Sequence, residues 1–424
     1  MSPLRSRSFL LRTALGVALA LTTWNAAVFA DDTALSLRID PNFSRSKLTT
    51  TEQYWYDLAW QHSAGCFNTV LTRSLYDDTY TYGRSVGDYM AFMLMGLRAT
   101  GDRQFLDKVR IVSDTLRTKL ADADDACVGG ATDGFLDWRW RAINAGSYSC
   151  TNTGGYYGSD YHPLDETMTH GNIALIAYAF WLNRDIDPIY ADRATYWLNY
   201  LQNHWEKKWI QRNGNSRSTA WLAGSGMYKH EAHVVANLMR AAYYLWKMTG
   251  DSFYKSTADE LQRRSALNCV ANPNVPSAYS WHHQVDNTTT WQAINYAEYT
   301  SSVFCDLHFE GYAPYGDTEI RKFMSTWRDI VFAGMGPGYT QMQPNVYGGG
   351  TPIAISASGC SAYARWDTSG QLLAYADAVK GSPGATSIYT IRTITGALLA
   401  VSTRSTPSGL DVVPPAPIKD LHTN

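Results

Sequence analysis

The sequence predicts an all-α fold, an α/α toroid of about five to seven helical hairpins with its long loops gathered on one face. Three observations predict it. After residue 50 the apolar residues recur at helical spacing almost throughout. A repeated joint, "RATGDRQF" at 98–105 and "KMTGDSFY" at 247–254, places a Gly at the left-handed end of one helix and an Asp at the cap of the next. The connectors alternate between tight and long, so the long ones share one end of the ring.

In chain order, a leading helix is expected near 51–62, then alternating inner and outer helices. The inner ones, rich in Ala, Tyr, Met and Trp, are placed at 86–99, 168–183, 228–248, 289–309 and 365–379. The outer ones, richer in charge, are placed at 102–120, 189–210, 252–267, 317–332 and 386–402. Joints of the same kind at "LNRDIDPIY" and "FEGYAPYGDTEI" turn two of the hairpins. The long connectors, 121–167, 211–227, 268–288 and 333–364, lead back to inner helices and lie over their N-termini, where unpaired N–H groups favour anions. One domain is expected at 51–404, preceded by a lead-in at 31–50 and followed by a Pro-containing tail at 405–424.

Residues 1–30 have the parts of a secretory signal: Arg5, Arg7 and Arg12, an apolar run from Ala14 to Leu21, and a small-residue exit at Ala30. A secreted or periplasmic protein is expected. Loss of three arginines takes the formal charge from -2 to about -5, which argues against nucleic-acid binding, and no later stretch is apolar enough to span a bilayer. The protein is expected to be a monomer. Six cysteines in an exported chain favour disulfides, with Cys127–Cys150 the preferred pair, although buried thiols are nearly as compatible with a domain this large.

The stretch "KHEAH" at 229–233 resembles a zinc-protease signature, but its histidines are three apart rather than four and no third ligand follows at a recognisable spacing. No metal and no cofactor are expected. His230, His233, Asn237, Arg240 and Tyr244 instead form one polar stripe on an apolar helix, and Gln292, Asn295, Tyr299, Ser302 and Asp306 form another. Thr169 and Asn172 begin a third, with His170 beside them. Such seams suit a wet lumen, or a set of satisfied hydrogen bonds inside the ring. Aromatic side chains crowd the loops, including Trp138, Trp140, Tyr161, Trp221, Tyr279, Trp281 and Tyr347, as sugar-stacking platforms or loop anchors.

Elimination on a uronic acid polymer needs a carboxylate neutraliser, a base and an acid, which Asn, Arg, His and Tyr can supply. Glycoside hydrolysis needs two carboxylates; here one of Asp88 or Asp165 would act with Glu231 or Glu298. With "THGN", "KHEAH" and "NYAEY" on successive inner helices, the chain resembles the α/α-toroid polysaccharide lyases, most closely polysaccharide lyase family 38. The resemblance implies β-elimination on glucuronan or mannuronate-rich alginate, an acidic polysaccharide partner and no redox cofactor. The expected catalytic set is Tyr299 and His233 in proton transfer, Asn172 with His170 as neutraliser and His230 in support. Arg240, Asn295, Gln292, Tyr296, Trp138, Arg139, Tyr161 and Trp281 are the expected substrate contacts, and Tyr296 competes with Tyr299 for the proton. A toroidal glycoside hydrolase and a non-catalytic sugar-binding protein are the rival readings.

Overall fold

The computed structural model describes residues 35–122, 133–140, 161–223, 226–334, 341–354, 360–381 and 388–404. The expected signal segment, the 405–424 tail and both members of the Cys127–Cys150 pair lie outside them. Within them, Cys66, Cys269 and Cys360 are thiols rather than disulfides, which corrects the expectation of bridges there. Burial pushes the Cys66 thiol up to about 11 and that of Cys269 to about 12.

The leading helix α1, Thr50–Arg73, starts on a capping box in which Thr49 and Glu52 satisfy each other's backbone N–H. It runs a full three turns beyond the expected end. A segment at Thr79–Thr81 passes through a π-helical stretch, Tyr82–Val86, into α2, Gly87–Thr100. Then come α3 (Arg103–Arg117), α4 (Pro163–Leu182), α5 (Pro188–Tyr200), α6 (Ala232–Thr249), α7 (Ser252–Asn268), α8 (Ile294–Phe309), α9 (Asp317–Ser325), α10 (Gln371–Val379) and α11 (Ile388–Val401). The Gly–Asp joints behave as read: Gly101 and Gly250 have φ of 75° and 72°. Asp102 and Asp251 accept the N–H of Gln104 and Phe253 at 3.0 and 2.9 Å.

The molecule is an all-α toroid with its long connectors on one face. Helices α2, α4, α6, α8 and α11 line a common lumen: α2 packs on α4, α4 on α6 and α6 on α8, and α11 closes the circle against α2. The other helices lie outside. The final pair is therefore inverted relative to the expectation: α10 is peripheral, whereas α11 is buried along most of its length and carries the buried Arg392. The cause is a short 3-10 segment, Ser361–Trp366, which fills the inner position between α8 and α11 and shifts the alternation by one. It packs so closely on α11 that a Cβ at Gly396 would lie 2.8 Å from the Ala362 nitrogen and collide with Ser361 Oγ. Gly396→Ala is therefore expected to lower stability by about 1–3 kcal/mol. Helix propensity alone would raise stability by up to ~1 kcal/mol, so the sign of the change in a denaturant midpoint tests this packing.

Small sheets occupy the long-loop face. Strands β1 (Ala121–Asp122) and β2 (Leu136–Asp137) pair antiparallel; β3 (Cys269–Ala271), β4 (Tyr279–Gln284) and β5 (Asn287–Trp291) form a three-stranded meander; β6 (Gln341–Met342) pairs with β7 (Ile353–Ala354). Residues 289–291, expected to open α8, belong to β5 instead. The ring is clasped where the segment after α11 meets the lead-in. Arg404 donates to the carbonyls of Ser36 and Arg38 at 3.0 and 2.6 Å and to those of Leu97 and Arg98. Ser402 donates to Ala99 O at 2.6 Å, and Thr403 N to Glu52 at 2.7 Å. Among the described residues no helix is long and apolar enough to cross a membrane.

Candidate active site

The lumen of the inner ring holds a polar cavity to which α2, α4, α6, α8 and α11 all contribute. From α6 come Asn237 and Arg240, from α8 Tyr299, Ser302 and Asp306, and from α4 Asn172, so the lower parts of the predicted stripes do converge. Arg240 is buried: it donates to Asp306 at 3.3 Å, to Asn172 at 2.5 Å and to Asn237 at 2.6 Å, while its Nε is buried without a partner. Arg392 donates to Glu298 Oε2 at 3.0 Å and to the Glu298 carbonyl at 3.1 Å. Asp88 faces the same space with its Oδ2 buried and unpartnered. Burial pushes its carboxyl up to about 7, against the pull of Arg392. Burial also holds the Tyr299 phenol well above its ordinary value, with the Asp88 charge adding to the effect.

Above the cavity, at the N-terminus of α4, Asp165 is buried yet held ionised. Arg84 donates to it at 3.0 Å and Trp140 Nε1 at 2.6 Å, and His162 Nδ1 stands 3.1 Å away. Burial alone would raise its pKa; the His162 hydrogen bond and the Arg84 charge, with Trp140, bring it below the ordinary value. Arg84 acts electrostatically on Asp88 as well as on Asp165. The mouth is lined by half-exposed rings: Tyr80 under the Arg84 guanidinium at 4.5 Å, Tyr296, Tyr299 and the exposed Tyr389. Arg84, His162 and Arg392 were not singled out in the sequence. Arg84 and Asp88, four apart on one helix, were the available signal.

Several expected site residues lie elsewhere. His230 precedes the start of α6, is exposed and pairs with Asp286 at 2.6 Å, so it shares no helix face with His233. Glu231 occupies the cap position of α6, its backbone bridged to Gln284 and its Oε2 buried without a partner. Glu298 is held by Arg392, and its charge acts on Asp88, so of the expected carboxylate pairings Asp88 with Glu298 is the one brought within electrostatic range. Trp281 and Thr300 both donate to Gln292 Oε1 in the core. Trp138 is fully buried and donates to Leu116 O at 3.0 Å, Arg139 pairs with Asp77 at 2.6 Å, and Tyr161 packs on Trp209. Asn295 is exposed on the first turn of α8. His170 faces away from the cavity: its Nδ1 meets Glu166 O at 2.7 Å and its Nε2 meets Tyr200 Oη at 2.8 Å, with Trp205 stacked on the ring. Burial lowers its pKa to about 4, so it carries no positive charge at neutral pH and neutralises no substrate. It belongs to a buried network in which Lys208 joins Asp137 and, at 2.9 Å, Glu166. Among the described residues no cluster of three or more His, Cys, Asp or Glu side chains is grouped as metal ligands.

No family model matches the chain, and no curated protein does. Among solved structures it is similar to the GH76A α-1,6-mannanase of Salegentibacter sp. HEL1_6, at 10% identity and a TM-score of 0.38, covering 82% of this chain and 97% of the other. An inactive variant of that mannanase bound to α-1,6-mannotetrose gives 11% identity and a TM-score of 0.39, covering 82% and 99%. Likeness at this level assigns no substrate or residue to the present chain. These neighbours are glycoside hydrolases, not lyases, and the expected membership of polysaccharide lyase family 38, with its glucuronan or alginate chemistry, is corrected accordingly. The geometry agrees with the correction in one respect: the charges of Arg84, Arg240 and Arg392 are each already paired with a carboxylate of the protein.

Proposed function

We propose that the protein is an exported glycoside hydrolase acting on an uncharged polysaccharide. One observation carries the reading: two buried carboxylates, Asp88 on the lumen and Asp165 bonded to Arg84 at 3.0 Å, are held in opposite protonation states. Such a split is what separates an acid from a base or nucleophile in glycosidic cleavage. Asp88, protonated up to about pH 7, gives its proton to the departing oxygen. Asp165, ionised, acts on water or on the anomeric carbon, and the anomeric configuration of fresh product tells which. The half-exposed tyrosines at the mouth offer flat apolar faces to sugar rings.

The test is incubation with α-1,6-mannan, other neutral glycans and polyuronates, following reducing ends beside ultraviolet absorbance. Reducing ends from a neutral glycan without absorbance support the reading, whereas an absorbing unsaturated product or no cleavage of any neutral glycan overturns it. The pH profile follows from the same pair. Turnover is expected to fall as pH rises through about 7, where Asp88 loses its proton. The acid limb should lie below the ordinary aspartate range, where Asp165 gains one. In Asp88→Asn the limb near pH 7 should vanish.

A further inference from the structure

His233 poses a problem that the hydrolase reading does not absorb. Its side chain is buried in the first turn of α6, and both ring nitrogens lack a hydrogen-bond partner. A buried imidazole left this way costs free energy unless something supplies partners. The ring lies 4.7 Å from Tyr296 and 6.0 Å from His283, whose own rings are 5.3 Å apart. Tyr296 rises from α8 and His283 from β4, both half-buried on the long-loop face. Arg84 and Asp165 both act electrostatically on the imidazole, so it shares the charged environment of the mouth.

We propose that His233, roofed by Tyr296 and His283, is a binding subsite for a sugar hydroxyl next to Asp165. The choice of ligand rests on the hydrolase reading. Burial, with Arg84 and His283, lowers the imidazole to about 3, so at working pH it presents one donor and one acceptor and no charge. A hydroxyl is likewise donor and acceptor. An anion would meet Asp165 and a cation Arg84, so an uncharged group is the complementary occupant. The two half-exposed rings then cover the C–H face of the same sugar unit.

The experiment is calorimetric titration of neutral oligosaccharides into the Asp165→Asn protein, alone and with His233→Ala, His233→Gln or His283→Ala added. A loss of affinity of about tenfold in His233→Ala, partly restored by Gln, which can also donate and accept, is expected. His283→Ala keeps the proposal testable if the buried substitution fails to fold, and it should weaken binding through loss of the roof. Unchanged affinity in the folded His233→Ala and His283→Ala proteins would assign the imidazole to a structural water and overturn the subsite. Binding that depends on His233 in a protein that cleaves no neutral glycan would keep the subsite and discard the hydrolase. Cleavage with KM unaffected by His233→Ala would do the opposite, and absence of both binding and cleavage would discard the two together.

Discussion

Asp165→Asn is expected to lower turnover by about 10²–10⁴-fold, the usual contribution of a positioned acid or base. The substitution keeps the shape and removes the charge. An Asn amide can accept from Arg84 or Trp140 through its oxygen, but its NH₂ then faces the other donor, so a stability loss of about 1–3 kcal/mol accompanies the change. The discriminating result is the ratio: turnover must fall far more than the denaturant midpoint predicts. Because Asp88 and Asp165 serve one reaction, the double Asn variant should lose little beyond the more damaging single one. Additive losses would mean that the two carboxylates do not act as a pair.

Lys208→Met is expected to cost about 3–5 kcal/mol of stability, the usual range for removing one partner of a buried ion pair. Lys208, Asp137 and Glu166 are all buried at 0–1% side-chain exposure, so the two carboxylates would be left together in a dry interior. Tyr200 still donates to Asp137 at 3.0 Å and Trp209 to Glu166 at 2.9 Å, which softens the loss without supplying charge. In the variant both carboxyls should take up protons more readily folded than unfolded. The deficit should therefore be largest at neutral pH and shrink as pH falls into the carboxylate range. A deficit that does not change with pH would assign the loss to packing rather than charge.

The ring was legible because its signals are local. The Gly–Asp joints at 101–102 and 250–251 fix where helices end, and apolar spacing fixes most of the rest. The stripes gave Asn237, Arg240, Tyr299, Ser302 and Asp306 correctly as lumen residues. What failed depends on partners distant in sequence. His170 and Asn172 sit two apart on one helix, and nothing local says that the first meets Tyr200 while the second meets Arg240. Trp138 and Trp140 pose the same problem in an extended segment, one entering the core and the other bonding Asp165. Arg392 was lost because Ser361–Trp366 is too short to show a helical period, so its inner place could not be counted.

The clasp at Arg404 joins residues 366 and 368 positions apart. An arch of hairpins can assemble progressively as each pair finds its neighbour, but the wall is incomplete until α11 inserts between the Ser361–Trp366 segment and α2. The lumen is thus among the last features to exist, and Asp88 stays in contact with water until it does. The same insertion that encloses the cavity delivers Arg392 to Glu298. A nick or truncation between α10 and Arg404 would consequently leave much of the helix content in place while returning Asp88 to solvent and to the pKa of an ordinary aspartate, so that the acid would be lost before the scaffold.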